Sequence, residues 1–453
     1  MKKNILFIII LSLQITVVKA MPEFRPLSFN QQLSNIDKSK RAKAKVQDTV
    51  LNLPFIDDFS SIGPYPNPNK WSDNNVFINR TYGIHPPTIG VATFDALDEN
   101  GKIYSHAPSS GGAFEADILT SGTVRLDSIF YPYPKALSAA DSIILSFYFQ
   151  PGGGIGNSWS GGQIGYVPAT EDRLIVECYN GGLKTWMPLW ESTGMSLKQM
   201  CPICDSTQYP QQQKNFFNRA VIPINHTGFF TKEFRFRIKA YSSINSNLNT
   251  AGGQWHIDYV YLDANRTKSD KNFNDIGFVE VPQTFLTGYT QVPYNQLDPS
   301  IIKNTLPIKI TNLGVSAQSC RYYRSIKDLA TDTVVSREPQ TGEASANIFP
   351  YGINGYSTNP DISVRPQTYL FSDVANSTSE KEYEITHVLK SGIETDFITT
   401  NDTAVIKQKF GREYAFDDGS SEQSVGFSGA NRIIAGRFSL INSDTFAGLN
   451  ICF

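Results

Sequence analysis

Three aspartates stand inside apolar, strand-like runs. Asp57 and Asp58 lie in Phe55-Ile56-Asp57-Asp58-Phe59, and Asp258 lies in Trp255-His256-Ile257-Asp258-Tyr259-Val260-Tyr261-Leu262. A carboxylate in such a run is costly unless something pairs with it. A cation held where the first and last strands of one block meet would satisfy all three. Calcium, which takes about 6–8 oxygen ligands, suits that chemistry. The plain alternative is that these aspartates cap turns or pair with arginines. Asp57-Asp58-Phe59-Ser60-Ser61 is echoed by Asp417-Asp418-Gly419-Ser420-Ser421, so Asp417 and Asp418 would be the equivalent pair of a second module.

Other residues of chemical interest lead less far. The run from Gly152 to Gly162 is rich in glycine, but no Lys-Ser/Thr pair follows it and no helix opens after it, so it reads as a loop between strands rather than a phosphate cradle. Trp159 within that loop could stack on a sugar ring or a partner surface. Trp186 and Trp190 read as packing residues. Cys201-Pro202-Ile203-Cys204 is a lone CxxC, read as a local loop disulfide in an oxidising compartment. Zinc would need a second ligand pair, which the sequence does not offer. The five histidines are scattered, and His256 beside Asp258 reads as a satisfied core or edge residue. GxSxG and HExxH do not occur in the sequence. These readings favour a non-enzymatic protein.

The elements that must position these residues are strands. Aromatics make up 12% of the 453 residues and charged residues 18%, with 33 Gly and 25 Pro to supply turns. This composition favours strands and loops over long helices. The net charge is −2, and loss of Lys2, Lys3 and Lys19 with a cleaved leader takes it three lower, to −5. An acidic surface argues against nucleic acid and anionic membranes as partners. Residues 1–20 read as a signal peptide: a basic Lys2-Lys3, a short apolar run, and Val18-Lys19-Ala20 before Met21. No later segment is apolar and long enough to span a membrane.

Residues 21–51 read as a flexible polar leader. Residues 52–264 carry short alternating or apolar runs separated by Gly, Pro and Asn. Phe234-Arg235-Phe236-Arg237-Ile238-Lys239-Ala240-Tyr241 alternates as a strand with one wet face should. Such a block is expected to be a two-sheet sandwich. A linker near Asn265 to Asn274 leads to a second sandwich over residues 275–408, of immunoglobulin-like size. Residues 411–453 read as the start of a further β module, too short to enclose a core unaided.

As an ordered set, Asp57-Asp58-Phe59, Trp71, Gly90-Val91-Ala92-Thr93-Phe94-Asp95, Leu119-Thr120-Ser121, Ser146 to Gly153 and Trp255 to Val260 resemble a jelly-roll module. That module occurs in large surface proteins exported by the type IX secretion system of Bacteroidota-type bacteria. It is similar to MAM and other concanavalin-like jelly rolls. Tyr414 to Glu422 resembles the start of the next module in such proteins, which place an immunoglobulin-like domain between the two. The small sorting domain that usually ends them is not read here.

The resemblance implies an all-β chain at the cell surface or secreted, with a structural calcium on the Asp57, Asp58 and Asp258 set. It implies a role in adhesion or recognition of a glycan or protein ligand, and contact with the type IX machinery. It also implies O-glycosylation at Asp-Ser/Thr-aliphatic triplets such as Asp127-Ser128-Ile129. An accessory region of a secreted hydrolase and a scaffold of an outer-membrane export or gliding apparatus are the other readings.

Overall fold

Period-two alternation builds the first block. In the strand Phe236–Ser243 the side chains of Phe236, Ile238 and Ala240 point into the core, while Arg237 and Lys239 take the other face. The structure, a computed structural model, describes residues 22–25, 27–36, 49–152 save 62, 110 and 111, 165–201, 216–244, 252–355 save 271 and 272, 369–417 save 376 and 393–395, and 421, 424–427, 438 and 440–450. The chain is all-β as expected, and its helices among the described residues are single turns. Among those residues no helix is long and apolar enough to cross a membrane.

After an N-terminal strand β1 (Pro22–Arg25), the first block comprises β2 (Phe55–Asp57), β3 (Phe77–Asn79), β4 (Val91–Phe94), β5 (Ala113–Thr120), β6 (Ser128–Ile129), β7 (Lys135–Ala136), β8 (Ile144–Pro151), β9 (Arg173–Asn180), β10 (Thr185–Thr193), β11 (Asn218–Pro223), β12 (Phe236–Ser243) and β13 (Trp255–Asp263). One sheet has the order β10-β9-β12-β5. The other has the order β11-β8-β13-β4-β3, with β2 also on β13. The chain switches sheet from β8 to β9, β10 to β11, β11 to β12 and β12 to β13, which is jelly-roll wiring. Leu119, Leu174, Val176 and Ile238 of one sheet meet Leu145, Phe147, Ile222, Ile257 and Phe94 of the other. The wet face of β12 proves largely covered. Lys239 is only 4% exposed, and its ammonium lies 2.8 Å from Glu115 and 3.4 Å from Glu177.

β13 is the hub of its sheet. One edge pairs with β8. The other is shared, residues 255–257 pairing with β4 and residues 260–262 with β2. The changeover falls at Tyr259, whose φ is 51°, and the register with β8 slips between Asp258 and Tyr261. A bulge re-aims the side chains beside it. Tyr259 thereby packs with Val279, Leu313 and Ile398, which all lie beyond the first block. Gly90 sits where β2 and β4 close on each other, and any Cβ there would overlap the Phe59 carbonyl.

The second block contains β14 (Ile276–Phe278), β15 (Gln291–Pro293), β16 (Ile310–Asn312), β17 (Gln318–Asp328), β18 (Thr333–Glu338), β19 (Ala344–Ile348), β20 (Lys381–Ser391) and β21 (Thr403–Gly411). Its main sheet runs β15-β21-β20-β17-β18, with β19 also on β17, and β14 pairs with β16. The last strand of this block therefore reaches Gly411. A further strand, β22 (Ser424–Phe427), pairs antiparallel with β1.

The stretch that reads as a linker is pinned rather than loose. Arg266, 5% exposed, donates to the carbonyls of Ile144 and Tyr261, to Ser146 Oγ and to Asp270. Ile89 of the first block is buried among Ile276, Phe278, Ile308 and Ile310 of the second. The two blocks thus share apolar core, the condition under which relative domain motion ceases to be the default.

Candidate functional site

The aspartates that open the sequence reading are all buried, but they do different things. Asp57 ends β2 on the core side, where its Oδ2 accepts from Trp71 Nε1 at 2.6 Å and its Oδ1 lies 3.2 Å from Lys70 Nζ. Asp258 is occupied by Thr88, whose backbone N–H and hydroxyl each donate to it at 2.8 Å. Asp58 accepts from Ser60 through Oδ1, while its Oδ2 has no hydrogen-bond partner among the described residues. Of the three, only Asp58 keeps an oxygen uncommitted. Burial, then repulsion from Asp58, raises Asp258 well above the usual carboxylate range. His256, bonded to Thr93 at 3.0 Å, is held down to about 3 by burial, so it is a neutral core residue.

Among the described residues, no group of three or more His, Cys, Asp or Glu side chains is arranged to hold a metal ion. Asp417 is exposed, and Asp418 lies outside the described residues. Trp159 and most of the Gly152 to Gly162 loop also lie outside them. Cys201 is disulfide-bonded, with Cys204 outside the described residues, and Cys178 and Cys320 are free and buried. Trp190 packs against Phe147 and Phe149, and Trp186 lies under the Arg237 guanidinium at 4.3 Å, so both are packing residues.

Two features escape the sequence reading. The first is a buried carboxyl pair. Asp117 on β5 accepts from Tyr104 Oη at 2.9 Å and from the Ala96 backbone at 2.7 Å, next to Asp95. Burial pushes Asp95 up to about 7. Burial and the charge of Asp95 push Asp117 well above its ordinary value. The folded pair therefore holds protons that an unfolded aspartate, with a pKa of about 3.9, has released. The native state binds the extra protons, so stability falls as pH rises from about 4 to about 7, by roughly 1.4 kcal/mol per pH unit per proton. The melting temperature of Asp95→Asn should fall less steeply over this window than that of the wild type. Parallel profiles would show that this pair does not retain the extra protons.

The second feature is an aromatic hairpin. β6 and β7 are joined by Phe130-Tyr131-Pro132-Tyr133-Pro134, and the three aromatics are 59%, 87% and 79% exposed. The Arg125 guanidinium lies 5.4 Å from the centre of the Phe130 ring. Proline at alternate positions denies this segment ladder hydrogen bonds, so its aromatics are left at a turn instead of in a sheet. That alternation of aromatic and proline was the available sequence signal.

No family model and no curated protein matches the sequence. Solved structures with partial likeness include a Bacteroides uniformis β-glucuronidase, at 10% identity and a TM-score of 0.21 over 60% of this chain and 24% of that one. Another is Bacteroides uniformis β-glucuronidase 2 covalently bound to cyclophellitol-6-carboxylate aziridine, at 9% identity and 0.19 over 60% and 24%. A third is β-D-glucuronidase of Dictyoglomus thermophilum, at 7% identity and 0.16 over 65% and 36%. The chain thus spans about a quarter to a third of the length of those proteins. Likeness at these scores carries no argument about what it does.

Proposed function

We propose that this chain is an extracellular recognition protein without catalytic activity, which binds a glycan or protein surface through the β6–β7 hairpin of its first sandwich. The observation that carries the reading is the exposure of Phe130, Tyr131 and Tyr133 side by side on one short turn. Contiguous exposed apolar surface marks interaction sites. Tyrosine combines a large ring face with a polar tip, which suits both sugar faces and protein pockets. The N-terminal leader pattern supports export, and the ordered jelly-roll motifs support the type IX route.

The test is binding of the full chain to a glycan array and to whole cells, compared with Tyr131→Ala/Tyr133→Ala. Each truncation should cost at least about 1 kcal/mol of binding if these side chains are anchors. The melting temperature should hold, because exposed substitutions usually stay within about 0.5 kcal/mol. Equal binding by the double variant and the wild type would refute the hairpin as the contact surface.

A further inference from the structure

We propose that a calcium-class divalent cation binds in the wall between the two blocks, on Asp58 of the first and on Asn401 and Asp402 of the second, with water completing its shell. This ligand set differs from the strand-end set of the sequence reading, since Asp57 and Asp258 are already committed within the first block.

Asn401 is fully buried, and its Nδ2 donates to Asp275 Oδ1 at 3.0 Å, which fixes the orientation of the amide. Its Oδ1 has no hydrogen-bond partner among the described residues. Gly277 leaves the room for this amide, because a Cβ there would overlap it. An amide oxygen cannot be relieved by taking up a proton at ordinary pH, so it calls for a donor or a cation. Asp402 follows directly in the chain, and its Oδ1 is likewise without a partner. Asp58 meets this segment across the block boundary, where Ser60, which donates to Asp58 Oδ1, also hydrogen-bonds Thr400 at 2.6 Å, and Asp58 Oδ2 is the third uncommitted oxygen among the described residues.

Charge points the same way. Asp58 acts electrostatically on Asp258, Asp275 and Asp402, and Asp396 adds to the negative field at Asp275 and Asp402. Among the described residues, the cations acting on Asp58 are Lys70, already paired with Asp57, and Arg80, which donates to the Ser60 carbonyl. A mixed set of two carboxylates, one amide oxygen and water is ordinary for calcium. It also needs no third acidic ligand, consistent with the lack of a three-acid cage among the described residues. Asp275 is then a positioning residue that orients the amide ligand.

The test uses the full chain stripped with chelator, titrated with calcium chloride in a calorimeter and melted with and without the ion. We expect one calcium per chain and a raised melting temperature. Asp402→Asn should bind more than about tenfold more weakly. In chelator the same variant should melt at or above the wild type, because it takes one half-buried carboxyl out of a crowd of like groups, so weaker binding cannot be read as misfolding. Asp275→Asn, which leaves all three ligands in place, should bind calcium with weaker affinity but unchanged stoichiometry. Absence of both binding heat and a thermal shift in the wild type would overturn the proposal, as would wild-type affinity in Asp402→Asn.

Discussion

Arg266→Ala is expected to cost the folded chain about 3–5 kcal/mol, the range for breaking a buried charged network by removing one partner. The guanidinium reaches the carbonyls of Ile144 at 3.0 Å and Tyr261 at 2.8 Å, Ser146 Oγ at 2.9 Å and Asp270 at 2.9 Å, and lies 4.1 Å from the centre of the Tyr261 ring. Alanine would strand two buried carbonyls and halve the cationic support of Asp270, which Arg219 shares at 2.8 Å. Arg266→Lys should recover only part of the loss, since an ammonium cannot reproduce the planar fork. Urea denaturation reads the result as a shift in midpoint at constant slope. A change in either variant within about 0.5 kcal/mol would mean that the network is incidental.

Trp71→Ala should cost about 3–5 kcal/mol, as truncation of a large core aromatic does. Trp71 is fully buried, stacks on Phe59 and meets Phe55 and Phe236 edge to face. Its indole N–H is also the donor to Asp57 Oδ2. Trp71→Phe separates the two roles. It keeps most of the ring packing but leaves a buried carboxylate oxygen unpaired, at about 1–3 kcal/mol. Adding Asp57→Asn to Trp71→Phe should return part of that loss, because an amide has a smaller desolvation cost than a carboxylate. A double variant no more stable than Trp71→Phe would show that Asp57 does not depend on this donor.

These two positions mark where sequence reading stops. The strands were legible because alternation reports a half-buried sheet face directly. Phe236, Ile238 and Ala240 point into the core as their spacing says. The cost of the buried aspartates was legible for the same reason. Their partners were not, since Trp71 is 14 residues from Asp57 and Thr88 is 170 residues from Asp258. Pairing over such distances is set by the path of the sheets, which no local pattern encodes.

Arg266 misled in the opposite direction. A polar run from Asn265 to Asn274 has the composition of a tether, and only the carbonyls it meets reveal an anchor. Asn401 and Asp402 gave no local sign either, because polar residues before a strand ordinarily cap a turn.

Ile89 carries a consequence for biosynthesis. The side chain belongs by sequence to the first block and by burial to the interior of the second. The second block therefore cannot close its interior until the first presents that residue. Amino-terminal units generally fold first as a chain is made, so here the earlier block acts as a template on which the later one condenses. The order of the blocks along the chain is itself a folding instruction, and a fusion that reversed them would be made with a gap where Ile89 belongs.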